Sequence, residues 1–65
     1  MTKTFETNEY GDVTVRNAML EEEDGTTLSD GIELRGDGID LDIFGWYSIE
    51  DMEPTDVEKL IDNNR

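Results

Sequence analysis

The chain has 65 residues, and its 18 Asp and Glu residues against five Lys and Arg residues give a formal net charge of −13. It contains no Cys and no His, which excludes cysteine-based zinc and redox chemistry and removes the commonest general acid–base group. A chain of this length forms one domain at most. We therefore expect residues 1–65 to form a single small acidic domain.

The first strand signals are weak and then sharpen along the chain. Residues 1–10 contain Thr2, Thr4 and Phe5, which favour strands, but their alternation is poor, so this segment is expected to be frayed or an edge strand. From residue 12, apolar Val13 and Val15 alternate with polar residues, as in a strand with one buried face. The acidic residues 21–24 and the Asp-Gly turn signal that closes them end this strand.

The clearest pattern is a hairpin in the middle of the chain. A Gly-Asp-Gly sequence at 36–38 predicts a tight turn, because glycine adopts positive φ without steric cost. We expect residues 32–35 to pair with residues 39–44, giving one apolar and one acidic face, and Gly31 to mark a bulge or bend. The strict alternation that supports this hairpin is that of Ile39, Leu41 and Ile43 with Asp40, Asp42 and Phe44.

Helix signals come last. Thr55 and Glu58 match a capping box, and Val57, Leu60 and Ile61 form a short apolar stripe at helical spacing. A helical turn is expected over 48–52, before Pro54. The predicted fold is α+β: a small antiparallel sheet of about three strands, arranged as a meander of hairpins, with one short C-terminal helix packed on one face. The adjacent aromatic residues Trp46 and Tyr47 would point to opposite sides of a strand, which leaves one of them free to be exposed.

Composition argues against an enzyme. Nucleophilic catalysis needs an activated side chain, and a catalytic carboxylate needs a buried setting that a domain this small hardly provides. The acidic stretches at 21–24 and 37–42 do not match the EF-hand calcium loop. We expect no catalytic residues, no metal site and no cofactor.

The acidic residues are the remaining candidate for function, since solubility needs a net charge of only about 2–8. Duplex DNA carries one negative charge per roughly 1.7 Å, so the roughly 28 Å expected for this domain corresponds to about 16 phosphates. A protein surface built to hold nucleic-acid phosphates could therefore accept these carboxylates instead. Three clusters are predicted to contact such a partner: Glu21, Glu22, Glu23 and Asp24; Asp37, Asp40 and Asp42; and Glu50, Asp51 and Glu53.

In size, in charge and in its alternating strand at 39–44, the chain resembles the small acidic inhibitors encoded by phages and mobile elements. These proteins mimic nucleic acid and block host defence, as several anti-CRISPR and anti-restriction proteins do. The resemblance is closest in character to inhibitors of type I CRISPR complexes. It implies binding to the basic nucleic-acid-binding surface of a protein complex such as Cascade, where target DNA enters, with no direct contact to nucleic acid.

Two alternatives remain open from the sequence. Proteins of extreme halophiles are also acidic and poor in Lys, although the single Ala and the abundance of Ile over Val argue against that origin. The chain could also be an acidic domain that binds an unrelated basic protein. The sequence contains no apolar stretch of membrane-spanning length, so we expect no membrane partner. We also expect the protein to be a monomer in the cytoplasm of the bacterial host.

Overall fold

The computed structural model describes residues 1–65 and contains one four-stranded antiparallel sheet covered on one side by helical segments. The strands lie in sequence order, β1-β2-β3-β4, so each pairs with its neighbour in the chain. The predicted α+β class and C-terminal helix are confirmed, while the sheet has four strands rather than about three. The elements are β1 (Thr2–Thr7), β2 (Gly11–Glu21), β3 (Leu28–Gly36), β4 (Ile39–Phe44), a 3₁₀ turn (Ile49–Asp51) and α1 (Pro54–Asn64).

The additional strand is β1, an edge strand anchored by two of its inward-facing residues. Phe5 lies opposite Val13 and is buried, and Thr7 at the end of the strand is also buried. The Thr7 hydroxyl donates to the Gly11 carbonyl oxygen at 2.8 Å and accepts the Tyr10 amide at 3.0 Å, which closes the turn into β2. Two buried anchors thus order a segment whose alternation is poor.

The predicted hairpin between β3 and β4 is confirmed. Leu34 lies opposite Leu41 and Ile32 opposite Ile43, so the apolar faces of the two strands coincide. The loop has two residues, and Gly38 adopts a φ of 75° there, a conformation that side chains with a Cβ rarely take.

One face of the sheet forms the hydrophobic core. The 3₁₀ turn contributes Ile49, and α1 contributes Val57 and Ile61, all of them buried against that face. Burial of this apolar stripe, more than helix propensity, holds a helix of three turns in place. The core consists of Phe5, Val13, Val15, Ile32, Leu34, Ile39, Ile43, Ile49, Val57 and Ile61.

The helix begins at Pro54, and its capping box is formed by Glu53 and Asp56 rather than by the predicted Thr55 and Glu58. Proline suits the first helical position because the amide it lacks would have no partner there. The Asp56 carboxylate accepts the backbone amide of Glu53 at 2.8 Å. The predicted helical turn before Pro54 is present as the 3₁₀ turn.

Gly31 does not form the predicted bulge. It pairs regularly with Ala18 on β2 and Phe44 on β4. A Cβ at this position would lie 2.8 Å from the Ile43 carbonyl oxygen and would collide with the Leu20 side chain, which lies over the glycine. Gly31 therefore provides space for Leu20, which is only 9% exposed although it lies on the sheet face away from the helix.

Candidate binding surface

The sheet face opposite α1, here called the open face, brings the predicted acidic pair of β4 into contact with an arginine. Asp40 and Asp42 lie on this face because the alternating residues Ile39, Leu41 and Ile43 point toward the core. Arg35 on β3 reaches both: its Nε lies 3.2 Å from the Asp40 carboxylate and its Nη2 lies 2.9 Å from that of Asp42. The predicted acidic face of the hairpin is therefore partly neutralised.

A second arginine extends this charge network across the sheet. Arg16 on β2 pairs with Glu33 on β3, directly opposite it in register, and Glu33 also lies 3.9 Å from Arg35. The pKa of Arg35 is raised, chiefly by its hydrogen bond to Asp42. These pairs are exposed to solvent and contribute little to stability, but they fix where charge is located on the face.

The sequence already contained the signal for these arginines. Ile32 and Leu34 face the core, so the intervening Glu33 and the following Arg35 must share the opposite face with the β4 aspartates. The same period places Arg16 there, since it follows the buried Val15.

In the acidic turn between β2 and β3, one carboxylate makes hydrogen bonds within the turn and two others make none. The Asp24 carboxylate accepts the amides of Thr26 and Thr27 at 2.9 and 3.0 Å and the Thr27 hydroxyl at 2.8 Å. These hydrogen bonds lower the pKa of Asp24 to about 2. The one donated by the Thr26 amide has the largest effect, and the two donated by Thr27 come next. Asp24 thus holds the turn, while the exposed carboxylates of Glu22 and Glu23 have no hydrogen-bonded or ionic partner within the protein.

Phe44, the last residue of β4, lies beside this turn in the folded protein. Its side chain is 51% exposed on the open face, and together with Glu22, Glu23 and Asp24 it lines a shallow depression of about 430 Å³. The alternation of β4 placed Phe44 on the polar face, but only the folded turn shows that acidic residues surround it.

Two of the three predicted clusters therefore lie along one side of the molecule. Asp37 occupies the tip of the β3–β4 hairpin, Asp40 and Asp42 follow along β4, and the β2–β3 turn adjoins Phe44 at the far end. Glu21, the last residue of β2, pairs with Leu28 at the base of that turn. We call this set the β4 surface: Glu22, Glu23, Asp37, Asp40, Asp42 and Phe44.

The third cluster lies in the other layer. Glu50 and Asp51 belong to the 3₁₀ turn, whose Ile49 is buried in the core beneath α1, and Glu53 precedes the helix. Asp51 accepts the Ser48 hydroxyl at 2.9 Å. These residues are exposed, but the structure does not bring them to the β4 surface.

Two other carboxylates, both on α1, hold the helix to the β1–β2 turn, a role that the sequence did not indicate. Glu58 on α1 accepts the backbone amides of Asn8 and Glu9 at 2.8 and 2.9 Å. Asp62 accepts the Tyr10 hydroxyl, and this hydrogen bond is the main cause of the raised pKa of Tyr10.

The helical layer carries a second, smaller concave feature. A groove of about 370 Å³ lies between the 3₁₀ turn and α1, with Tyr47, Met52 and Leu60 as its apolar lining and Lys59 at its wall. Trp46 lies in the loop that follows β4, where its side chain is 74% exposed, whereas the adjacent Tyr47 is half-buried. No group of three or more acidic residues is arranged to hold a metal ion.

The whole molecule is longer than the roughly 28 Å expected from its number of residues. Its Cα atoms extend over 37 × 23 × 16 Å, and duplex DNA of that length carries about 22 phosphates at one per roughly 1.7 Å. Only three of the 18 carboxylates, those of Glu33, Asp40 and Asp42, belong to ion pairs. Fifteen therefore remain without a cationic partner, and none of the acidic residues is buried.

Comparisons with known proteins identify no relative: no family model, curated protein or solved structure matches this chain. None of its helices combines the length and the apolar character needed to cross a membrane.

Proposed function

We propose that this protein is a non-enzymatic inhibitor that occupies a basic nucleic-acid-binding surface of a host defence complex by presenting carboxylates in place of phosphates. The observation that carries the proposal is the number of surface carboxylates without a cationic partner, fifteen along a molecule 37 Å long. A surface that holds DNA with Lys and Arg side chains would gain charge-assisted contacts with such an array.

The β4 surface is the face that we expect to meet the target. It joins unpaired Glu22 and Glu23 to the exposed ring of Phe44, and it continues through Asp42 and Asp40 to Asp37 at the hairpin tip. An exposed aromatic ring among acidic groups suits an Arg-rich partner, since guanidinium groups stack on aromatic faces and pair with carboxylates. The helical-layer residues Glu50, Asp51 and Glu53 would then contribute long-range attraction more than contact.

The proposed target is the Cascade complex of a type I CRISPR system, in the bacterial cytoplasm, at the position where target DNA enters. This choice follows from the resemblance in size and charge to inhibitors of such complexes. The protein would act as a monomer and would not contact nucleic acid itself.

Competition for target DNA tests the proposal. A purified type I surveillance complex is mixed with the protein at moderate salt, and binding of labelled target duplex is followed by fluorescence anisotropy. We expect the apparent DNA affinity to fall as the protein is added, and the inhibition to weaken as salt screens the charges. Unchanged DNA affinity across the titration would reject Cascade as the target.

Two variants with the same change in net charge test the face. Glu22→Gln with Glu23→Gln alters the β4 surface, whereas Glu6→Gln with Glu50→Gln alters the far edge strand and the helical layer. If the β4 surface makes the contact, the first pair weakens inhibition about tenfold or more and the second pair has a small effect, because rim and distant charges contribute mainly to association rate. Equal losses would mean that total charge acts without a defined face.

A further inference from the structure

The outer edge of β4 offers unpaired backbone groups. The Gly45 amide donates to the Asp30 carbonyl oxygen at 2.9 Å, and Ile32 lies opposite Ile43. Since the backbone groups of alternate residues point toward the partner in an antiparallel pair, the odd-numbered residues of β4 direct their amides and carbonyls toward β3. By that alternation the amides and carbonyls of Asp40, Asp42 and Phe44 point away from the sheet.

These outward groups are accessible. The side chains beside them are exposed, with Asp40 at 85% and Asp42 at 50%. The helix packs mainly on the opposite edge strand, β1, and touches β4 less. Edge strands with free backbone groups pair readily with added strands unless something opposes the pairing.

What opposes pairing here is the sign of the charge. A second copy of this chain that added its own β4 antiparallel to this one would bring aspartates opposite aspartates on the open face. Like charges directly across a strand pair destabilise it. A strand with basic residues at alternate positions would instead meet Asp40 and Asp42 at matching intervals, since residues i and i+2 lie roughly 6.6 Å apart.

We infer that β4 accepts an extended basic segment of the partner as a fifth strand of the sheet. This inference rests on the proposed function for the positive charge of the partner, and it adds the mode of contact. Main-chain hydrogen bonds to Asp40, Asp42 and Phe44 would supply affinity, and alternate Lys or Arg side chains would supply specificity. At the end of β4, a side chain of the segment would lie on Phe44 beside Glu22 and Glu23.

Synthetic peptides with alternating Lys and Val residues test this mode of contact. One version is N-methylated on the Lys residues and another on the Val residues, so both have the same charge and only one loses the amides that face β4. We expect one methylated peptide to bind at least tenfold more weakly than the unmethylated peptide, and the other to bind nearly as well. The amide NMR signals of Asp40, Asp42 and Phe44 should shift and gain protection from solvent exchange on binding.

Substitutions in the protein provide the second measurement. Asp42→Asn and Asp42→Pro remove the same charge, but only Asp42→Pro removes the outward amide, which makes no bond within the sheet. We expect the unmethylated peptide to bind the proline variant several-fold more weakly than the asparagine variant, provided that thermal melting shows both to be folded.

Equal binding of the two methylated peptides would overturn strand addition. The proposed function would be unaffected by that result, because charge-driven docking needs no backbone pairing. Conversely, peptides that bind as expected while target DNA is never displaced would leave strand addition standing and reject the proposed target.

Discussion

At the scale of single residues, the carboxylates of this protein divide by what they contact. Asp24 closes a turn, Asp56 caps the helix, and Glu58 joins the helix to the β1–β2 turn. Glu22 and Glu23 have no such contacts. Counting acidic residues in the sequence cannot separate these groups, since the separation depends on which backbone amides the folded chain brings within hydrogen-bonding distance.

Replacing Thr27 tests the role of Asp24. Thr27→Val removes the hydroxyl that donates to this carboxylate at 2.8 Å but keeps both amide donors. We therefore expect the pKa of Asp24 to rise from about 2 partway toward its ordinary value of 3.8. A titration of the carboxyl carbon shift by NMR measures this, and Thr55→Val, an exposed helix position, serves as the control.

The sign of the pH dependence follows from the lowered pKa of Asp24. Hydrogen bonds to its ionised form stabilise the folded turn fully above the ordinary value of 3.8, and this stabilisation is lost as the pH falls through about 2. In the Thr27→Val variant the stabilisation should therefore be smaller, and its loss, which starts below the ordinary value of 3.8 in both proteins, should be complete at a higher pH. An Asp24 titration curve identical in the two proteins would contradict the assigned cause.

At the scale of elements, the meander depends on close packing at one glycine. Gly31 is the central residue of a row with Ala18 and Phe44, and Leu20 fills the space above it. This packing buries an apolar side chain on the open face, which the period-2 pattern assigned to solvent. It ties β2 to β3 near the end of the sheet that carries the acidic turn.

Gly31→Ala should destabilise the protein by about 1–3 kcal/mol, as overpacking does in a well-filled interior. The added methyl would meet both Leu20 and the Ile43 carbonyl oxygen. Urea unfolding followed by circular dichroism measures the loss. The same substitution made in a Leu20→Ala background should cost less, because one of the two obstacles is gone. An equal cost in both backgrounds would assign the whole effect to the backbone contact.

The accuracy of the sequence predictions varied with the strength of the local signal. The β3–β4 hairpin was predictable because Ile39, Leu41 and Ile43 alternate strictly after a tight turn. β1 was uncertain because it has only two inward anchors, Phe5 and Thr7. The helix starts two residues earlier than the predicted capping box implied, since Pro54 can begin a helix as well as precede one.

The candidate surface was predictable only in part. Pattern alone placed Asp40 and Asp42 on one exposed face. The proximity of Phe44 to the acidic turn could not be predicted, because it depends on how residues 22–27 fold back over the end of the sheet. The same limit applied to the third cluster, whose layer is set by the burial of Ile49.

At the scale of the whole molecule, self-repulsion among unpaired carboxylates opposes the compact state. The net charge of −13 is spread over both layers, and the ion pairs are confined to the open face, from β2 to the edge strand β4. Screening should therefore stabilise the fold, since the Debye length falls from about 30 Å at 0.01 M salt to about 10 Å at 0.1 M.

A melting series in NaCl tests this expectation and separates a salt-adapted origin from the proposed function. We expect the protein to be folded at low salt and its Tm to rise by about 4–8 °C on screening, as roughly 1 kcal/mol of relieved repulsion produces in a domain of this size. A halophilic protein would instead be unfolded near physiological salt and fold only at molar concentrations. A Tm independent of salt would contradict the role assigned to self-repulsion.

The position of Arg35 has a consequence for how binding depends on salt. Its guanidinium already occupies the cationic position beside Asp40 and Asp42. A partner's Lys or Arg that binds there exchanges with an internal cation, so fewer mobile cations are released than at free carboxylates. The logarithm of the binding constant should therefore fall with the logarithm of salt concentration less steeply than the number of contacting carboxylates implies.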